Sequence, residues 1–369
     1  MAPSSSSSSS RTPLNILLVN DDGCPGPASP HILSFYRTLV NRGHHVSVVL
    51  PSHQKSWGAM AFSVKGSIGL WYYYPEQDGE GAGKWETERR PGGAKEEWVL
   101  IDGSPTTCTS IGLFNQSQLF PDAEQKPFDL VLSGPNLGRN TGAAFAMSSG
   151  TLGAAMAGAL SKHKAIAVSY AHFSVVPKAI QDAIDAKGLS SGPSQPTSDE
   201  GEETDPPQPP AASSPSAWKH VVSVAPVELV QIAHNISIDL VERLVRGWEP
   251  SVGVYSINVP LAWTLKDPQV FWTAVWKNSY PKLFKLMEPQ ESGQGQAAAT
   301  HIPASAPKPK TNLVFAPEMS SMMARGSEES FVGTDAWAIQ HGHISISRLQ
   351  PGFVEVPLPA NHDGQRFKM

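Results

Sequence analysis

Residues 15–19, Asn-Ile-Leu-Leu-Val, form an apolar run that stops at Asn20-Asp21-Asp22-Gly23. A short apolar run closed by turn residues reads as a buried strand of an α/β sheet. Residues 30–40 then place Ile32, Leu33, Phe35, Tyr36, Leu39 and Val40 on one broad helical face, and Gly43 supplies a stop. A second strand is predicted over residues 46–50, closed by Pro51, and the aromatic-rich, loosely alternating residues 63–74 predict a β-hairpin arm. Further strands are predicted over 98–101, 128–132, 165–169 and 252–259, and helices over 105–114, 151–160 and 218–245. Residues 334–349 read as a short helix followed by a strand. Strand–helix alternation of this kind predicts an α/β fold: a doubly wound, Rossmann-like three-layer sandwich with a mostly parallel sheet, plus the hairpin arm and a C-terminal extension. Right-handed crossovers bring several strand ends to one edge.

The pattern lapses in five places. Residues 1–12 and 353–369 read as tails around a single domain over 13–352. Polar inserts are expected at about 75–97, 188–216 and 289–310, the second dense in Ser, Pro, Gly and acids. Loops accept such length at small entropic cost.

At 369 residues the chain can bury a full core. A net charge of −5 without a basic block argues against a nucleic-acid polymer as partner. No apolar stretch reaches the roughly 20 residues of a membrane span, so no membrane partner is expected. The serine-rich start, with Arg11, has no apolar signal core; it reads as a disordered tail, with a transit peptide as the other option. Cys24 and Cys108 are the only two cysteines, which makes a reducing, cytoplasmic location the default.

Four loops share the predicted sheet edge, where ligands of such sheets bind. They are residues 20–23, 53–58, 102–108 and 133–142, the last leading into Ser149-Gly150-Thr151. Adjacent carboxylates at Asp21 and Asp22 repel unless a proton or cation lies between them, and a hard divalent metal is the simplest answer; Asp-Asp-Gly is also ordinary turn chemistry. Ser149-Gly150-Thr151 precedes a helix, where free N–H groups hold phosphate. No loop matches a P-loop or GxGxxG pattern. Each residue has a plainer reading. Ser149 or Thr151 caps its helix. Asn136 and Asn140 stabilise turns. Ser56 and His53 are ordinary loop residues, and Lys55 and Arg139 are solvated charges. Asp335, His341 and His343 invite a metal, against a helix cap and solvent-facing rings. Trp57 and residues 71–74 pack or form a dimer surface, or a base stacks on them.

Taken together, NILLVNDDG (15–23), KSWGA (55–59), DGSPTTC (102–108), SGPNLGRNTG (133–142) and SSGTLGAAM (148–156) resemble the SurE family of metal-dependent phosphatases and nucleotidases. YSINVP (255–260) and DAWAIQHGHISISRLQP (335–351) resemble its C-terminal segments. The usual Arg-Ser-Gly of the second loop is here Lys55-Ser56-Trp57-Gly58. The resemblance implies Asp21, Asp22, Ser56 and Asn136 as ligands of Mg²⁺ or Mn²⁺, with Asn140, Ser149, Gly150 and Thr151 on the substrate phosphate. It also implies Asp21 and Asp22 as the catalytic pair and a homodimer or homotetramer. The implied activity is hydrolysis of nucleoside monophosphates or of small phosphate esters of the acid-phosphatase type. Water and an Asp carboxylate compete as nucleophile. A catalytically silent nucleotide-binding scaffold is the rival; a sugar-nucleotide transferase lacks a recognisable donor pocket.

Overall fold

A computed structural model describes residues 12–64, 66–76, 83–92, 94–123, 125–173, 176–189, 197–198, 225–286, 311–317, 322 and 331–353. The expected tail over 1–11, most of the inserts expected at 188–216 and 289–310, and residues 354–369 lie outside these described residues, as do 77–82 of the insert expected at 75–97.

The sheet strands form in the order β1 (Asn15–Val19), β2 (His45–Pro51), β3 (Leu70–Tyr74), β4 (Lys84–Glu86), β5 (Trp98–Ile101), β6 (Leu130–Leu137) and β7 (Ala165–Ala171). A two-residue pair, β8 (Val176–Pro177) and β9 (Thr197–Ser198), is followed by β10 (Val254–Pro260), β11 (Val270–Thr273), a small antiparallel pair β12 (Phe284–Leu286) and β13 (Leu313–Phe315), and β14 (Ile344–Leu349). Ten of them make one sheet ordered β11-β14-β10-β7-β6-β1-β2-β5-β3-β4. The centre is parallel throughout; β14 against β10, and β3 against β5 and β4, are antiparallel.

Helices cover both faces. Helices α1 (Ile32–Asn41) and α7 (Val227–Arg246) pack on Ile16, Leu18, Leu132, Ile166 and Tyr255. Helices α2 (Pro105–Phe114) and α5 (Gly150–Leu160) pack on Leu17, Val19, Val131 and Ala165 from the other side. Side-chain alternation along β1 thus feeds two separate cores, which is the three-layer arrangement the sequence predicts. Shorter helices are α3 (Gln116–Leu119), α4 (Ala143–Ser148), α6 (Lys178–Ala186) and α8 (Asp335–Gln340). No helix among the described residues is long and apolar enough to cross a membrane.

Four expectations shift. The predicted arm over 63–74 reduces to β3, which joins the main sheet because Tyr73 and Tyr74 are buried, Tyr73 against Trp98 and Trp85. The insert expected at 75–97 is partly ordered: β4 pairs with β3, and Arg89 and Arg90 bind Glu97 and Glu86. The strand predicted over 128–132 runs on to Leu137 through the polar Ser133-Gly134-Pro135-Asn136, with a register shift against β7. Gly134 permits this, with φ +116° and a Cβ position only 2.1 Å from the Val168 carbonyl oxygen. The helix predicted over 218–245 is Val227–Arg246, its first residues lying outside the described set.

Candidate active site

The first turn is built by Asn20, which is fully buried. Its Nδ2 donates to the Gly23 carbonyl (2.8 Å) and to Ser29 Oγ (3.0 Å), and its Oδ1 accepts from the Gly23 N–H (3.0 Å). The next two side chains are thereby fixed at the end of β1, and both Asp21 and Asp22 are buried.

Asp21 lies against the start of α5. Its Oδ1 accepts from Thr151 Oγ1 at 2.5 Å, and the backbone N–H groups of Gly150 and Thr151 also face its carboxylate. Gly150 admits this closeness, since a Cβ there would stand 2.8 Å from Asp21 Cβ and 2.9 Å from Oδ2. Ser149 is the N-cap of α5, accepting from the Leu152 N–H at 3.1 Å. All three residues of the expected phosphate turn are therefore at the acid pair, but their donors serve the helix cap and Asp21.

Asp22 Oδ2 accepts from the Leu137 N–H at 2.7 Å, and the Gln54 amide bonds the same carboxylate. Asp22 Oδ1 is buried with no hydrogen-bond partner among the described residues. Asn136 is oriented by donation from Nδ2 to the Gly138 carbonyl (2.8 Å), which turns its Oδ1 to Thr151 Oγ1 (3.2 Å). One hydroxyl proton cannot serve both, and the shorter contact assigns it to Asp21. Asp22 Oδ1 and Asn136 Oδ1 are thus buried acceptors short of a positive partner.

Ser56 is half-buried and reaches the acids through Gln54, whose Nε2 donates to Ser56 Oγ at 3.1 Å. The second loop is tied to the first by the Lys55 N–H, which donates to the Asp21 carbonyl at 2.7 Å. His53 is exposed and pairs with Lys55 Nζ at 2.5 Å.

Asn140 lies in the loop after β6 and is held by the neighbouring strands. Its N–H donates to Asn258 Oδ1 (2.8 Å), and its Nδ2 donates to Ser169 Oγ (2.9 Å), Ser169 being the register partner of Asn136. Asp335 closes the turn from the far side, accepting from the N–H groups of Gly142 (2.9 Å), Trp276 (2.9 Å) and Ala336 (2.8 Å). Thr334 is the N-cap of α8, so Asp335 is an anchor in its first turn. His341 bonds the Trp337 carbonyl at 2.8 Å, and its ring lies 6.4 Å from that of His343. These three do not converge. Among the described residues no group of three or more His, Cys, Asp and Glu forms a metal cluster; the candidate donors are two carboxylates with amide and hydroxyl oxygens.

Burial pushes the Asp21 carboxyl up and the Asp22 carboxyl well up, Asp22 further because it also faces the charge of Asp21. Hydrogen bonds from Thr151, Leu137 and Gln54 work against this rise. A pair so placed resists carrying two charges without a proton or a cation beside it. The fit to a hard divalent ion rests on the orphaned Asp22 Oδ1 and the all-oxygen donor set. Gln54 and Asn258 were not distinguished from their neighbours by sequence pattern. Their one signal is position, in the second loop and at the carboxyl end of β10.

A doubly wound α/β sheet that gathers buried acids, amides and a helix start at its carboxyl edge defines an α/β protein with a candidate ligand site at that edge. The family model described as "Survival protein SurE" matches residues 16–203. The chain belongs to the SurE family. It is 30% identical over 293 residues to a Saccharomyces cerevisiae protein named probable tubulin–tyrosine ligase PBY1, covering 73% of this chain and 32% of that protein. It is 33% identical over 156 residues to 5'-nucleotidase SurE of Leptospira interrogans, 42% of this chain and 49% of that one. It is 34% identical over 162 residues to 5'-nucleotidase SurE of Prochlorococcus marinus, 44% and 51%. These matches span about half or less of each relative's own length. The crystal structure of SurE from Aquifex aeolicus shares the fold, with a TM-score of 0.53 at 18% identity over 92% of this chain and 94% of that one.

Proposed function

We propose that this chain is a divalent-metal-dependent phosphomonoesterase acting on nucleoside monophosphates. The observation that carries the reading is the buried pair Asp21–Asp22 with one oxygen left without a partner. Carboxylates kept out of water with an open acceptor need a compensating charge, and a hydrolytic centre supplies it. The nucleotidase names of the bacterial relatives support the substrate class.

Asp21, Asp22 and Asn136 would hold Mg²⁺ or Mn²⁺, with Ser56 linked to the pair through Gln54. When bound, such a cation polarises the phosphoryl oxygens and offsets charge built up in the transition state. The chain's own groups do the rest. Thr151 fixes the Asp21 rotamer, and Leu137 N–H and Gln54 fix that of Asp22. Asn140, held by Ser169 and Asn258, is placed to orient the phosphate, with the N-terminus of α5 adding its dipole. The Asp22 carboxylate, beside its partner acid, is placed to take a proton from an attacking water. Action on other small esters, of the acid-phosphatase type, is the wider form of the same chemistry.

The word ligase in the yeast relative's name describes a protein of which 32% is matched. A cytoplasmic homodimer or homotetramer is part of the proposal. Exposed apolar residues on β11 (Phe271, Trp272) and on the β12–β13 pair (Phe284, Leu313) support self-association, which a sizing measurement checks.

The test is phosphate release from 5'-AMP with Mg²⁺, with Mn²⁺ and with chelator, in the parent chain and in Asp22→Asn. Turnover is expected only in the parent with metal. Metal-free Asp22→Asn is expected to melt a few degrees higher than the metal-free parent, since it removes a carboxyl held against its charge. Equal turnover in every sample would remove the metal mechanism. Nucleotide binding without turnover under any metal would favour the scaffold reading.

A further inference from the structure

Trp57 stands immediately after Ser56, in a loop pinned at three points. The Lys55 N–H bonds Asp21, the Gly58 N–H bonds the Lys55 carbonyl at 3.1 Å, and the Ala59 N–H bonds the Ser148 carbonyl at 2.9 Å. Within this frame Trp57 has φ +63° and Ala59 φ +46°, left-handed conformations that disfavour side-chain-bearing residues. The indole is half-buried rather than withdrawn into a core. Phe145 meets it at 6.0 Å and 60°, and Phe315 at 4.9 Å and 68°. Both contacts are edge-wise or tilted, and among the described residues no ring lies parallel to the indole. Phe145 belongs to α4, whose last residue Ser148 accepts from the Ala59 N–H of the Trp57 loop and lies two residues before Gly150, which abuts Asp21.

Strain kept by an over-determined loop, an indole fixed on two sides and an adjoining phosphate site together describe a stacking platform. We propose that Trp57 is a specificity-determining residue that stacks on the flat aromatic end of the substrate, a nucleobase or an aryl group joined to the phosphate ester. The inference rests on the phosphomonoesterase reading above and assigns its leaving-group side. Trp57 takes no part in bond making; it positions the ester over the acids and lowers KM for ring-bearing substrates.

The test compares the full chain with Trp57→Gly, which suits the left-handed backbone, and Trp57→Phe, which keeps a ring. Initial rates are measured on 5'-AMP, p-nitrophenyl phosphate and ribose 5-phosphate, and binding of 5'-AMP is measured by calorimetry. In Trp57→Gly the ratio of kcat/KM for 5'-AMP over ribose 5-phosphate is expected to fall about tenfold, through KM, with weaker 5'-AMP binding. Trp57→Phe is expected to restore most of both. A fall for 5'-AMP alone assigns the ring to a nucleobase; a parallel fall for p-nitrophenyl phosphate assigns it to aromatic esters in general. An unchanged ratio, or equal losses on all three substrates, overturns the inference. If the parent hydrolyses none of them, the phosphatase reading fails on its own, and calorimetry still decides: 5'-AMP binding that Trp57→Gly does not weaken, or no binding at all, overturns the platform.

Discussion

Gly150 shows how closely this site is packed. Its Cα approaches the Asp21 side chain so nearly that a methyl group would lie 2.8–2.9 Å from Asp21 Cβ and Oδ2. Real contacts at that range force a shift, and the carboxylate is the lighter party. Alanine is otherwise a better helix former than glycine, so Gly150→Ala should leave α5 intact. The expected result is a loss of turnover of about 10²-fold with a melting temperature changed by a few degrees at most, because displacement near 1 Å is enough to misplace a reacting group. Loss of the fold together with the activity would place Gly150 in packing alone. For Asp21 and Asp22 two readings stood level at this scale, a paired site and an ordinary turn, and their burial is what the structure adds. Gln54 was not legible: an amide in a polar loop looks the same whether it faces water or a carboxylate.

At the scale of elements, the Asn140 turn is held by parts remote in sequence. Asp335 begins α8 and gathers the N–H groups of Gly142, Trp276 and Ala336, while Asn258 on β10 holds the Asn140 N–H. The acceptors come from the last third of the chain, and the turn they fix carries the candidate phosphate ligand. Asp335→Ala strands three donors and is expected to cost about 2–4 kcal/mol of stability together with most activity. Asp335→Asn keeps one carbonyl oxygen and is expected to retain the fold while raising KM more than it lowers kcat, since it loosens phosphate positioning. A chain unaffected in both stability and KM by Asp335→Ala would show that the turn holds itself. The central strands were legible because each is a short apolar run between turn residues. The second half of β6 was not, since Ser133-Gly134-Pro135-Asn136 carries turn chemistry and is extended only because Gly134 can sit against Val168. The polar stretch around β4 was likewise read as loop, although Trp85 packs edge-on against Trp71 and Tyr73 and draws it to the sheet edge.

For the whole molecule, the layer opposite the acid pair carries its own titrating group. His31 at the start of α1, His172 beyond β7 and His234 on α7 meet between helices and sheet. His31 and His172 face each other Nε2 to Nε2 at 3.0 Å, and His234 bridges Ser34 Oγ (2.8 Å) and Tyr170 Oη (2.9 Å). Burial pushes His172 down to about 4, His234 down to about 3 and His31 well below its ordinary value. The unfolded chain takes up these protons below about 6.5, and the folded chain refuses them. Their stabilising effect is therefore complete above pH 6.5 and declines as pH falls towards 4, by up to about 1.4 kcal/mol per pH unit for each group. The raised carboxyls act in the opposite sense, because the folded state holds their protons more tightly and gains stability as pH falls towards 3.8. Thermal melts from pH 7 to 4.5 in the Asp22→Asn background separate the two. A steep fall in melting temperature is expected there, made shallower by His172→Gln, and a flat curve would show that the histidines admit protons while folded. If the fall is found, an acidic activity optimum can survive only where metal or substrate stabilises the folded state enough to offset it, by an amount that grows with the ratio of ligand concentration to its Kd.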